Sequence, residues 1–190
     1  MQLPINKLHA VALAAATEET RYYLKGVYIE PHPKKTGVIL TATNGHALIS
    51  AYHDTGFGEP FAPVIIPSDL IKRVKDVRKI SELNMTITPA EVSILYAGAT
   101  YAAPPIDGTF PDWRRVVPRN CDGKPSQYDS KYLAVMTKAK GLLSDANTPA
   151  LMSYNGGSPA LVDLGTNEAF GVIMPLRAQP ERSTPPAWID

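Results

Sequence analysis

The chain has 190 residues, 44% of them hydrophobic and 19% charged, with a formal net charge of +1. That length is enough for one large cored domain or two small ones, and the near-neutral balance excludes a chain that is basic all over, so a cationic face has to be sought segment by segment. One cysteine, Cys121, excludes an intramolecular disulfide, four scattered histidines give no zinc-ligand spacing, and no apolar run is long enough to span a bilayer.

Residues 5–17 are alanine-rich, with Ile5, Leu8, Val11 or Ala12, and Ala15 at helical spacing, and predict a short helix. The stretch RYYLKGVYIEP alternates like a strand, and VILTATNGHALISAY predicts two strands around an Asn44-Gly45 turn. A second unit opens at PVIIPSDLIKRVKDVRKI. Ser68 or Asp69 is read as the N-cap of a helix with Leu70, Ile71, Val74, Val77 and Ile80 on its apolar side. Three strands follow, the first two joined at Pro89 to Glu91. A third unit repeats the plan: a helix capped by Asp129 or Ser130, a hairpin around Asn155-Gly156-Gly157, and a last strand in EAFGVIMPLRA. The chain therefore reads as three strand-helix-strand-strand units of about 55 residues each. The Pro-rich end, 179–190, shows little periodicity.

Between the second and third units lies GTFPDWRRVVPRN, residues 108–120. A connector rarely holds two large aromatics unless they are buried or bind something. No Ser-His-Asp pattern, P-loop or dinucleotide fingerprint is present, and Cys121 has nothing beside it in sequence to activate it. The reading is a non-enzymatic protein of the cytoplasm with no cofactor or metal. The first twenty residues do not fit a signal peptide.

Four stretches, TRYYLKGVYIE, TATNGHALISA, DGTFPDWRRVVP and FGVIMPLR, occur in this order, with spacing that fits over residues 2–118. In them the chain resembles the bacterial DNA polymerase III beta subunit, the sliding-clamp family. The resemblance implies an α+β fold of sliding-clamp (processivity-fold) repeats, with one complete clamp-like domain plus a half-domain. Residues 1–118 would correspond to the middle domain and 119–178 to the second half of the last domain, followed by the tail 179–190. The family's first domain and half of its third would be absent.

The resemblance also implies a hydrophobic cleft for the clamp-binding peptide motif of DNA polymerases and related proteins. Its lining maps to Leu24, Thr43, Gly45, His46, Leu48, Pro111, Arg115, Val116, Val172, Met174, Pro175, Leu176 and Arg177. Ala47 stands where the family has arginine, which implies one altered polar wall. Met174, Leu176, Pro111 and Val116, with arginines at the rim, also supply the adaptable apolar walls that a peptide groove needs. Double-stranded DNA, held without sequence preference, would meet Arg21, Tyr22, Tyr23, Lys72, Arg73, Lys75, Lys79, Lys131, Lys138 and Lys140. On the first helix only Lys7 and His9 are available for that role. A twelve-unit ring would need four three-unit chains, so a homo-oligomer is expected. The other reading is a non-encircling peptide-binding module that tethers or sequesters clamp partners.

Overall fold

The structure, a computed structural model, describes residues 1–56, 61–75, 80–144 and 149–177. Unit one comprises β1 (Gln2–Pro4), α1 (Ile5–Ala12), a 3-10 segment (Glu19–Leu24), β2 (Gly26–Pro31), β3 (Val38–Thr43) and β4 (Ala47–His53). Unit two is β5 (Val64–Pro67), α2 (Ser68–Arg73), β6 (Glu82–Ile87), β7 (Val92–Tyr96) and β8 (Ala99–Ala103). After a short 3-10 turn (Trp113–Val116), unit three contributes α3 (Ser130–Leu143), β9 (Leu151–Ser153), β10 (Ala160–Asp163) and β11 (Ala169–Ile173).

These strands form two antiparallel sheets, ordered β1-β6-β7-β8 and β5-β2-β3-β4-β11-β10-β9. Units one and two exchange their opening strands: β1 pairs with β6, and β5 pairs with β2. Neither unit can therefore complete its sheet alone. Unit three joins differently, through its last strand. β11 lies antiparallel to β4 from Ala169 opposite Ala51 to Ile173 opposite Ala47, and the Met174 amide prolongs the ladder by donating to the His46 carbonyl at 2.8 Å. The turn between β3 and β4 is built as its sequence suggests. Asn44 Oδ1 accepts from the His46 and Ala47 amides, both at 2.9 Å, and Gly45 takes φ +88°.

The three helices lie together, α1 packing on α2, α3 and the sheet strands β2 to β4. Strand alternation sorts the core into two layers. Leu40, Ile49, Ile173 and Val162 belong to the main cluster, which includes Leu8, Val11, Leu70 and Met136 of the helices. Ile39, Leu48 and Val172 belong to a second cluster, closed by Leu24, Ile65, Phe110 and Trp113. Because both faces of the seven-stranded sheet are covered, β3 and β4 are buried almost throughout and read as apolar runs.

Three local expectations change. The first helix ends at Ala12, because the Leu13, Ala14 and Ala15 amides bond back three residues and tighten the chain into turns. The run from Arg21 to Leu24 is 3-10 rather than strand. Lys25 N donates to Tyr22 O at 3.0 Å, and the Leu24 carbonyl is taken by Ala16 N at 2.9 Å instead of a neighbouring strand. In unit two Pro67 occupies the cap position, no side chain caps α2, and the Ser68 hydroxyl is buried without a partner. Asp129 does cap α3, accepting from Lys131 N at 3.0 Å. Val77 falls outside the described residues.

Candidate peptide-binding cleft and helical face

The connector that looked anomalous in sequence is pinned at several points. The Phe110 ring stacks on Tyr28 with centroids 4.7 Å apart and planes within 1°. Trp113 Nε1 donates to Glu30 Oε1 at 3.0 Å, Arg114 pairs with the same carboxylate at 2.9 Å, and the Arg114 guanidinium lies 4.3 Å from the indole centroid. Burial, reinforced by the Glu30 carboxylate, pushes the Tyr28 phenol above its ordinary value, with Arg114 opposing. Trp113 also approaches Phe170 of β11, centroids 6.3 Å apart. The connector therefore bolts unit one to unit three.

Beneath it, Leu24, Leu48 and Val172 are buried in one cluster, and Leu48 sits directly opposite Val172 across the β4–β11 seam. Next to this floor the chain leaves large apolar side chains in water: Val116 is 41% exposed, Met174 36% and Leu176 40%. Pro111, Arg115 and Arg177 are exposed as well, and Pro175 is half-buried. Thr43 is a turn brace, its hydroxyl donating to Ala47 O at 2.8 Å and accepting from Gly45 N at 3.1 Å. The Arg21 guanidinium lies against Gly45 where a β-carbon would stand. Ala47 is not a cleft wall: it is buried in the main core on the helix side of β4, since strand alternation turns it away from Leu48.

His46 reaches across the seam. Its ring stacks on Tyr132 of α3, centroids 5.5 Å apart and planes 15° apart, and Lys131 lies 4.7 Å from that same tyrosine ring. Tyr132, Gln127 (whose carbonyl accepts from Leu176 N at 2.8 Å) and Tyr154 (42% exposed, 6.2 Å from Tyr128) are neighbours that sequence reasoning missed. No spacing rule joins a residue of the first turn of α3 to a hairpin loop in unit one. The available signal was the tyrosine itself, unusual at the wet end of a helix.

On the helical side, a cleft of about 940 Å³ opens between α1, α2 and α3, and Tyr22, Lys72, Lys75 and Lys138 all line it. Lys72 is tied to Asp69 at 3.0 Å, whereas Lys131, away from the cleft, is tied to Asp129 at 3.1 Å. The Lys72 bond lowers the Asp69 carboxyl, the Lys131 backbone amide and then its ammonium lower that of Asp129, and the Asp129 carboxylate raises Lys131. Arg73 turns aside onto β8, 5.8 Å above the Tyr101 ring. Tyr23 packs partly buried beside the second cluster, its ring edge-on to Tyr22. Arg21, at the Gly45 turn, lies apart from this cleft. Lys79 falls outside the described residues.

Two of the expected cations are withdrawn from the helical face, and a third lines the helical cleft with its ring already engaged. Lys140 is 5% exposed and donates to the Pro149 carbonyl at 3.1 Å. Lys7 is 7% exposed, its ammonium bonding Tyr52 O and Glu168 Oε2, both at 2.7 Å. His9 Nε2 meets the Val74 carbonyl at 2.8 Å and so carries its proton there. Lys7 and His9 find their partners on elements distant in sequence, and Lys140 in the loop that follows its own helix, none of which charge spacing along a helix reveals. Among the described residues no group of three or more His, Cys, Asp or Glu side chains could hold a metal, and no helix is long and apolar enough to cross a membrane.

A family model for the central domain of the DNA polymerase III beta subunit matches residues 3–112. The beta sliding clamp of Caulobacter vibrioides (strain NA1000 / CB15N) is 32% identical over 124 residues, 61% of this chain and 32% of that protein. The beta sliding clamp of Escherichia coli (strain K12) is 28% identical over 120 residues, covering 60% of this chain and 31% of its own. The chain thus spans about a third of the length of these relatives. Among solved structures, the DnaN sliding clamp from Bartonella birtlesii, bound to griselimycin, superposes with a TM-score of 0.77 at 21% identity, covering 94% of this chain and 66% of that one. Caulobacter crescentus pol III beta gives 0.73 at 20% identity, covering 94% and 65%. At those identities the superposition speaks for the fold: an α+β assembly of sliding-clamp repeats.

Proposed function

The chain belongs to the DNA polymerase III beta subunit family through its central domain, and from that premise we propose that it is a non-enzymatic, sliding-clamp-like processivity factor of DNA replication. Its peptide site is the seam between units one and three, and its partners are DNA polymerases and other proteins carrying a clamp-binding motif. Residues 1–118 act as the middle clamp domain, 119–178 as the second half of the last, and several copies surround double-stranded DNA in the cytoplasm.

The observation that carries this reading is the β4–β11 pairing. It puts Leu48 and Val172 side by side as a dry floor and leaves Val116, Met174 and Leu176 in water beside it. A floor already closed by Phe110 and Trp113 keeps its shape with or without ligand, so little ordering is required when a peptide binds. Apolar anchors of a peptide would cover the exposed methionine and leucine, and Arg115 and Arg177 would face its polar flanks. Lys75, Lys138, Lys72 and Tyr22 around the helical cleft supply the phosphate-facing groups.

A second reading, a peptide-binding module that does not encircle DNA, is favoured by one observation: Lys7 and Lys140 are turned inward, and Lys72 and Lys131 are held by aspartates. The two readings share the cleft. Titrating a fluorescent polymerase-type clamp-binding peptide against the full chain tests it, with saturable binding expected to weaken at least about tenfold on Met174→Ala or Leu176→Ala. No binding, or binding indifferent to both changes, refutes the cleft. Retention on circular DNA that is lost when the DNA is linearised then decides for encirclement over the second reading.

A further inference from the structure

The three units each end in a strand, and the fold disposes of those strands unequally. β4 closes unit one and β11 closes unit three, and the two pair with each other. β8, which closes unit two, is the outer strand of its sheet, and among the described residues no strand pairs with its free side.

The other sheet edges are short or covered. β1 and β9 have three residues each, and the Lys124 segment reaches the end of β9, Gly123 N donating to Tyr154 O at 3.0 Å. Ile106 N donates to Ile65 O of β5 at 2.9 Å. β8 has five residues, Ala-Thr-Tyr-Ala-Ala, with no proline, no charge and no bulge, the usual devices that keep an edge from pairing.

Which of its backbone groups face outward follows from the turn. Tyr96 and Ala99 flank a two-residue loop, Ala97 at φ +52° and Gly98 at φ +78°, so they form a hydrogen-bonded pair. Tyr101 and Ala103 then bond to β7, while Thr100 and Ala102 point away. Arg73 Nη1 meets the Ala102 carbonyl only at 3.5 Å, which marks it as outward-facing, and among the described residues nothing meets the Thr100 and Ala102 amides. Leu95, opposite Thr100 on β7, is 47% exposed beside this edge.

We propose that β8 pairs antiparallel with β8 of a second copy of this chain, last strand to last strand, as β4 and β11 pair within the chain. An antiparallel pair of identical strands is self-complementary about a twofold axis. Centring that axis on Tyr101 sets Thr100 opposite Ala102 of the other copy twice over, and these are the residues whose backbone groups face outward. The two Tyr101 residues then face each other as a non-hydrogen-bonded pair, Cα atoms about 4.5 Å apart. This contact rests on the multi-copy reading of the proposed function and is read without peptide or DNA: a strict monomer ends both, whereas an oligomer indifferent to β8 ends this contact alone.

Sedimentation equilibrium of the full chain at micromolar concentration is expected to show a species of twice the chain mass or a higher even multiple. Ala102→Pro removes an amide that β7 does not use, and should halve that mass or more while circular dichroism and the melting midpoint stay near wild type. In a Cys121→Ser background, Tyr101→Cys should oxidise to a covalent dimer, the Cα separation being within disulfide range, whereas Met152→Cys on β9 should not. A strict monomer, an oligomer indifferent to Ala102→Pro, or cross-linking through Met152→Cys alone overturns the proposal.

Discussion

The Lys7 ammonium on the first helix lies 2.7 Å from the Glu168 carboxylate in the last hairpin, and the lysine side chain is only 9% exposed while that of the glutamate is 53% exposed. The same ammonium donates to Tyr52 O at the end of β4. One buried cation therefore ties α1, β4 and the β10–β11 turn together. Its two partners are not equivalent: removing Glu168 leaves a desolvated charge, whereas removing Lys7 leaves a carboxylate that water reaches.

Glu168→Ala is accordingly expected to cost about 2 kcal/mol of unfolding stability, and Lys7→Met, which keeps the stem volume, about 1 kcal/mol. Urea unfolding measures both. Amide exchange should localise the loss, speeding in β10 and β11 and unchanged in β6 to β8; a uniform acceleration would contradict it.

His53 supplies a pH dependence. Burial, with the Lys7 charge 3.5 Å from its Nδ1, holds its pKa below the ordinary 6.5, and the carboxylates Glu168, Glu82 and Asp54 pull the other way without cancelling it. The unfolded chain, titrating near 6.5, takes up the proton first. Stability from this group is thus complete above 6.5 and declines as the pH falls below it. The lowered carboxyls of Asp54, Asp69 and Asp129 act only at more acid pH, so melts between about pH 5 and 7 isolate the histidine. His53→Gln should flatten the curve over that interval.

Trp113→Ala should destabilise the fold by about 3 to 5 kcal/mol, since it opens a cavity under the connector and strands Glu30 with Arg114 alone. Peptide affinity should fall with it, and Trp113→Phe should recover most of the affinity by refilling the space. Equal peptide binding by all three forms would separate the connector from the cleft.

If the helical cleft meets phosphates, Lys75→Gln and Lys138→Gln should each flatten the slope of log affinity for duplex DNA against log salt by about 0.9. Lys140→Gln is the contrast, expected to lower the melting midpoint and leave the slope alone, because its ammonium is spent on Pro149. A slope indifferent to the first two substitutions would remove DNA from this face.

Period and punctuation carried much of the fold. Leu8 and Val11, or Tyr132 and Met136, repeat at helical spacing because each pair faces the core, and Asn44-Gly45 names its own turn. Those are local causes. The segment Arg21 to Leu24 alternates like a strand, yet Ala16 draws the Leu24 carbonyl away, and only a tertiary partner could reveal that. That Leu24, Leu48 and Val172 come together was legible through the resemblance, and they share one buried cluster. Tyr132 was read as a helix position, because its partner His46 lies in another unit. Charges were the least legible: Lys72, Lys138 and Lys140 look alike in sequence, and burial of Lys140 against the Pro149 carbonyl, in the loop after its own helix, sets it apart.

The β4–β11 ladder joins Ala51 to Ala169, so the widest sheet in the molecule is closed by a pairing of very long sequence separation. Loop closure of that span has to precede any gain from the ladder, which makes it a late event in folding. A nascent chain grows from its N-terminus, and units one and two, which interlock through β1 and β5, can assemble while unit three is still being made. Until β11 arrives, β4 stands as an open edge with Leu48 beside it, ready to accept a strand from another chain. The junction that joins units one and three in the finished protein is therefore also the place where its synthesis is most exposed to aggregation.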